Sequence, residues 1–534
     1  MKRLVVLFLA FGLTAAACGD DDGTPLITST TTGQATTTTV STGESYPTEM
    51  VEAYMDGCRP EGGEELCRCT IDQYQARLTL DEFIEYSSTT ADIGNDPLAQ
   101  EIIEYCTRTG GTTPTTLAGD FTPFTDMQGV IDASLADLHV YWGATMPAVW
   151  GVDYEPPIVN GPYYNSRGDE PTCGGPMDPS GYVGNAFYCG FDDTVQWDHE
   201  DLMAPLYEQF GDFTVALVLA HEWGHAIQNR FGFDDFNSPT IVSELQADCF
   251  AGAWTGRVAA NESDIIRLEP GDLEEAMSGF LLIGDQLGSD PLDDNAHGGS
   301  FDRLSAFFDG FNSGSGQCAT YEADPPTVVF IPLREGEDPT QGGDLPFDQT
   351  APLLIDALEV FWSIVYPDLF GEPWVPVSNV FPYDPNGEVP ACGGFVAQDE
   401  FFDGNAFYCE ADDFVAWDNV GLFPGLWTEI GDFAIGLVLA NEWGRAVQAR
   451  AGLPLEGPDA QLQVDCMAGV WTAALVPEDN PTGILLSAGD LEEGISGFLA
   501  LSATPGVEGE VSAFRRFEAF KAGFFEGITM CGVG

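Results

Sequence analysis

The sequence predicts an α+β fold, predominantly helical, in which one architecture is laid down twice in tandem behind a small helical module stapled by disulfides. Three observations predict it. LVLAHEWGHAIQ at 217–228 returns as LVLANEWGRAVQ at 437–448, and further pairs follow in the same order at a spacing near 220 residues. Apolar residues at three- and four-residue steps dominate both copies, while only NAFYC and the TVQWD that follows it read as short strands. Twelve of the 13 cysteines fall into three groups of four, one group ahead of the repeats and one inside each.

From the N-terminus, MKRLVVLFLAFGLTAAAC has basic residues, an apolar run and small residues before Cys18. This is the layout of an export signal over 1–17, and the run is short of the ~20 apolar residues that span a bilayer. It resembles a bacterial lipoprotein signal, which implies a lipidated Cys18 at the outer face of the cell membrane and contact with the membrane through that anchor only. Residues 18–47 are Thr-rich and too polar to build a core, so they read as a tether. Residues 48–109 carry Cys58, Cys67, Cys69 and Cys106 between helical patterns and predict the small stapled domain. A spacer over 110–120 leads to the first copy at 121–322, and a Pro- and Gly-rich joint at 323–346 leads to the second at 347–534.

With 17 Lys+Arg against 86 Asp+Glu, the formal charge is −69, which excludes nucleic acid and electrostatic binding to anionic lipid as partners. The cysteine groups fit an oxidising, exported setting.

Inside the first copy, GDFTVALVLAHEWGHAIQNRFG reads as a helix from Asp212 closing at Gly232, and PTIVSELQADCFAGAWTGRVA as a second with Pro239 at its start. The motif H-E-x-x-H places His221 and His225 four apart on one helical face, where two imidazoles can hold a zinc ion beside the carboxylate of Glu222. A catalytic zinc site needs a third protein ligand and an open position. Eighteen residues separate His225 from Glu244, which opens the run ELQAD.

That pattern resembles the gluzincin metallopeptidases, whose zincin-like fold is then implied. By the resemblance Glu244 is the third ligand and Asp248 fixes the tautomer of His221. The wider set CGG…FYC, AHEWGHAIQ, ELQADCFAG, GDLEE and HGGSFDR resembles the neutral zinc metallopeptidase family of bacterial proteins, over about 121–320 intact and 345–531 in degenerate form. It implies one Zn²⁺ per chain, a peptide or protein substrate, and Glu222 as the base that takes a proton from the zinc-bound water. His297, in DDNAHGGS, is the candidate donor to the oxyanion.

The second copy acts as an internal control. His221 becomes Asn441, His225 becomes Arg445, Glu244 becomes Gln461 and His297 becomes Glu510, so this copy is expected to bind no zinc. Glu442 and Asp465 persist, and Arg445 is expected to pair with one or both of them. Cys466 survives where the ligands are lost, so its counterpart Cys249 is not a ligand. Disulfides Cys173–Cys189, Cys249–Cys318, Cys392–Cys409 and Cys466–Cys531 are favoured, with connectivity inside each group open. His139 and His199, replaced by Glu359 and Asn419, are expected at the surface.

The expected function is an exported, lipid-anchored zinc peptidase with an inactive second copy. The alternative is a noncatalytic cell-surface binding protein with structural or no zinc, and an amidase acting on cell-wall peptides is a third reading.

Overall fold

The computed structural model describes Tyr54, Thr70, Ile71 and residues 126–533, apart from 234–237, 294–295, 339–341, 398, 478 and 503–510. The expected signal, Cys18, the tether and the cysteines of the 48–109 module lie outside the described residues, as does Glu510. Tyr54, Thr70 and Ile71 are helical and belong to one compact unit; residues from 126 onward belong to another. In the smaller unit the Tyr54 hydroxyl donates to Thr70 Oγ1 at 3.0 Å. Among the described residues no helix is long and apolar enough to cross a membrane.

The larger unit runs through one series of elements and then through it again. The first series is α1 (Met127–Trp150), β1 (Ile158–Val159), β2 (Ala186–Cys189), β3 (Thr194–Trp197), α2 (Ala204–Phe210), α3 (Asp212–Phe231), α4 (Thr240–Ala259), α5 (Asp272–Ile283) and α6 (Ser300–Ser313). The second is α7 (Phe347–Phe370), β4 (Asn379–Tyr383), β5 (Ala406–Cys409), β6 (Phe414–Asp418), α8 (Leu422–Glu429), α9 (Asp432–Ala451), α10 (Pro458–Ala474), α11 (Asp490–Leu501) and α12 (Ala513–Glu526). Each three-stranded sheet has its third strand in the middle, parallel to the first and antiparallel to the second. Of these strands the sequence predicts two in each region, without their pairing; they form the antiparallel pair. The added strands β1 and β4 are short and almost wholly exposed, so they leave no alternating apolar signature.

Disulfides Cys173–Cys189 and Cys392–Cys409 tie β2 and β5 to the loops before them, and Cys249–Cys318 and Cys466–Cys531 tie α4 and α10 to the chain after α6 and α12. The turns between the antiparallel strands pass through Asp193 and Asp413, both left-handed at φ 53° and 50°, a conformation that Asp tolerates better than most residues. There the two carboxylates also receive Arg230 and Arg450, from α3 and α9, so each hairpin is pinned to the end of its long helix.

In α3, every residue from Phe213 to Gly224 is buried, and the helix stops at Gly232, whose φ of 81° suits a glycine C-cap. Helices α4 and α6 run in step at four-residue intervals: Asp248 lies beside Arg303, and a Cβ on Gly252 would sit 1.9 Å from the Phe307 carbonyl oxygen. Only glycine allows that approach. Helices α10 and α12 repeat it with Asp465 beside Arg516 and Gly469 under Phe520 at 2.0 Å.

One apolar core runs through both series. Phe301 and Phe308 of α6 pack on Phe517, Phe524 and Phe514 of α12, the Phe308–Phe514 rings stacking at 4.2 Å. Lys521, one of the two lysines of the chain, pairs with Asp309 across the same seam. Glu274 of α5 accepts from the Phe514 amide at the start of α12.

Candidate metal centre

Helix α3 carries His221 and His225 one turn apart, and α4 packs across it so that Glu244 faces both. The two Nε2 atoms are 3.1 Å apart; Glu244 Oε2 is 3.3 Å from that of His221, and Oε1 is 3.4 Å from that of His225. His221 and Glu244 are buried, both 8% exposed. Oε2 of Glu244 is buried and has no hydrogen-bond partner, which is costly unless something else satisfies it.

The far side of each imidazole is held. His221 Nδ1 meets Asp248 Oδ1 at 2.7 Å, and His225 Nδ1 meets Gln228 Oε1 at 2.8 Å. A carboxylate and an amide oxygen can only accept, so both Nδ1 atoms carry a proton, and Nε2 of each ring is the atom turned toward Glu244. The holders are held in turn. Arg303 donates from Nε and Nη2 to the two oxygens of Asp248 at 2.8 and 2.9 Å, and Gln228 donates to the Ser243 carbonyl and to Gln246.

Burial pulls both imidazoles toward neutrality, but Asp248 and Glu244 outweigh it and lift His221 to about 10, with His225 raised as well. Burial opposes charge on Glu244 too, yet the two histidines hold it well below the usual carboxylate range. Asp248 is likewise lowered against its burial by Arg303 and His221. The centre favours positive charge between the three side chains. Two imidazole nitrogens and a carboxylate, closed on one side and open on the other, are the donor set of a zinc site with a free position; the unpartnered Glu244 oxygen fits an ion there.

The open side is a cavity of about 710 Å³. Glu222, 7% exposed, lines it beside the histidines, and so do Ala186, Phe187 and Tyr188 of β2. Within the described residues β2 is an edge of its sheet. His297 is also on the wall, with its side chain 57% exposed and Nδ1 3.5 Å from Asp285. His139 is exposed as expected. His199 is not a free surface residue: it is half-buried against the Tyr164 ring at 4.8 Å.

In the second region the three corresponding side chains bond to one another. Gln461 Nε2 donates to Asn441 Oδ1 at 2.8 Å, and its Oε1 accepts from Arg445. The expected pairing of Arg445 with Glu442 or Asp465 does not form. Both oxygens of Asp465 already accept from Arg516, at 2.9 Å each, and Arg445 turns to Gln461, Gln448 and the Leu455 carbonyl.

Residues 125–321 match the family described as "Putative neutral zinc metallopeptidase". The match takes in α1 to α6 with the whole of this centre; the second region lies outside it. The "Uncharacterized protein YpfJ" of Escherichia coli (strain K12) is 37% identical over 158 residues, covering 25% of this chain and 53% of its own. The "Uncharacterized protein Rv2575" of Mycobacterium tuberculosis (strain ATCC 25618 / H37Rv) is 30% identical over 162 residues, covering 26% and 55%. The chain spans about half the length of the curated relatives it matches. No solved structure matches it.

Gln228 and Arg303 were not singled out from the sequence. Both stand inside the quoted motifs, and each recurs in the second region as Gln448 and Arg516, where the ligands are absent.

Proposed function

We propose that the 121–322 region is a zinc-dependent peptidase and that the 347–534 region arose from the same domain by tandem duplication and lost the chemistry. The observation that carries this reading is the convergence of His221 Nε2, His225 Nε2 and Glu244 on one point, with both Nδ1 atoms tied from behind and Glu222 beside the same cavity. The ligands are His221, His225 and Glu244. Asp248 and Gln228 orient the imidazoles, and Arg303 orients Asp248. A zinc ion bound there supplies a Lewis acid for the scissile carbonyl and a water of lowered pKa.

The protein's own residues do the rest. Glu222 accepts the proton of the attacking water as the new C–O bond forms, then passes it to the nitrogen as the C–N bond breaks. His297, on the cavity wall, donates to the carbonyl oxygen as negative charge collects on it. The free edge of β2 pairs with an extended substrate backbone, which places the bond to be cut across the mouth of the centre. Export on the signal at 1–17 and anchoring through Cys18 put this activity outside the cytoplasmic membrane.

The test is Glu222→Gln in the full-length protein, followed by zinc content and by hydrolysis of a mixed peptide library. Zinc is expected to stay and the rate to fall by about 10²- to 10⁴-fold, the usual worth of a positioned base. Unchanged hydrolysis overturns the assignment of Glu222, and absence of zinc from the parent chain overturns the centre itself.

A further inference from the structure

A second group of donors lies outside the catalytic centre. Asp344 precedes α7, Asp432 opens α9 and Glu493 lies in the first turn of α11; one oxygen from each falls within 4.8 Å of the others. Asp432 and Glu493 are 5% and 6% exposed, while Asp344 faces solvent. No Lys, Arg or His among the described residues forms an ion pair with any of the three.

Backbone amides take up only part of this charge. Glu493 Oε2 accepts from the Phe433 amide at 2.7 Å, and Asp432 Oδ2 accepts from the Leu345 amide at 3.1 Å. The other oxygen of Asp432, Oδ1, is buried with no partner at all. A helix N-terminus stabilises a carboxylate through its free amides, and the Asp432 and Phe433 amides pull the Asp432 carboxyl toward its charged form, but Oδ1 completes no hydrogen bond with either. An unpaired, unbonded carboxylate oxygen in the interior costs too much to keep without a counter-charge. Burial and mutual repulsion accordingly push Asp432 up to about 7 and Glu493 well above its usual range. Gly431 leaves the room: at its φ of 148° a Cβ would stand 2.1 Å from the Glu493 carboxylate.

We propose that Asp344, Asp432 and Glu493 bind a calcium ion that clamps the chain before α7 to the first turns of α9 and α11. An all-oxygen donor set selects a hard cation, and the exposed side at Asp344 leaves positions for the waters that complete the shell of calcium. The site lies in the region that has no zinc ligands, so it serves the fold rather than the reaction. Asp212, Asp272 and Glu275 form a similar trio in the first region, but there no carboxylate oxygen is left buried and unpartnered. That trio serves as the comparison.

Terbium tests the site directly. The Trp427 indole donates to the Leu345 carbonyl at 2.9 Å, one residue from Asp344, close enough to sensitise a bound lanthanide. In the zinc-loaded full-length protein, excitation of tryptophan is expected to give terbium luminescence that calcium displaces and Asp432→Asn abolishes. Millimolar calcium chloride is expected to raise the melting temperature by about 4 °C or more over sodium chloride of equal ionic strength, and Asp432→Asn to lose that rise. The variant has one buried charge fewer, so without calcium it should melt no lower than the parent, which separates loss of binding from loss of folding. A calcium shift no larger than that of sodium overturns the proposal. So does a shift that persists in Asp432→Asn and disappears in Asp212→Asn, which would move the ion to the first region.

Discussion

In α3 the side chains at 221 and 225 are imidazoles steadied from behind by Asp248 and Gln228; in α9 the same positions carry Asn441 and Arg445, with Asp465 and Gln448 still in place. Arg516 grips Asp465 as Arg303 grips Asp248, with the same two nitrogens and nearly the same distances. The supporting network is therefore present in both regions and the ligands in only one. Its persistence has a physical reason: Asp465 is fully buried, and removing Arg516 would leave an uncompensated carboxylate, at a cost of about 3–5 kcal/mol. The ligands have no such hold. In the second region Asn441, Gln461 and Arg445 satisfy one another, so none of the three depends on a metal.

The most drastic way to break the comparison is to restore the ligands. Asn441→His, Arg445→His and Gln461→Glu together place the donors on a scaffold that already carries Asp465, Gln448 and Arg516. The expected outcome is a rise from one to two zinc ions per chain, read by elemental analysis of the dialysed protein. If the count stays at one, α9 and α10 no longer hold the geometry of α3 and α4, and the second region has drifted further than its hydrogen bonds suggest.

A smaller effect separates support that still works from support that merely persists. Asp248→Asn keeps the shape but loses the charge behind His221 and should weaken zinc about 10- to 100-fold. Asp465→Asn should leave zinc affinity unchanged. Competition against a chelator measures both; equal weakening in the two variants would mean that the regions are coupled through the shared seam of α6 and α12.

Much of this was legible in the sequence. The register of the repeat, the helix from Asp212 to Gly232 and the set His221, Glu222, His225, Glu244 and Asp248 follow from spacing and from family resemblance. The four disulfides of the two regions are those that the surviving Cys466 favoured. What was not legible came from contacts between distant segments. Arg303 reaches Asp248 only because Gly252 lets α4 and α6 close on each other, and nothing local to HGGSFDR signals that approach. Arg445 was misjudged for the same reason: the partner that occupies Asp465 is 51 residues further along the chain. The single core across both regions was equally hidden, since the phenylalanines of α6 and α12 look like two separate amphipathic faces.

The finest distinction lies in the acid that both motif helices keep beside the ligand positions. Glu442 stands where Glu222 stands, but burial pushes its carboxyl up to about 7, with Arg445 and the Tyr408 backbone pulling the other way. Unfolded, it titrates near ~4.3, so the folded chain binds the extra proton and stability contributed at this site falls as pH rises from about 4.3 to 7. Above that the full cost is present. Glu442→Gln removes the titration while keeping the shape, so the variant's advantage over the parent should be about 2–3 kcal/mol larger at pH 8 than at pH 5, in urea titrations at the two values. An advantage that is the same at both would mean that Glu442 is held as a charge by Arg445. In that case the guanidinium does replace the metal after all, through the acid beside it rather than through the ligand positions.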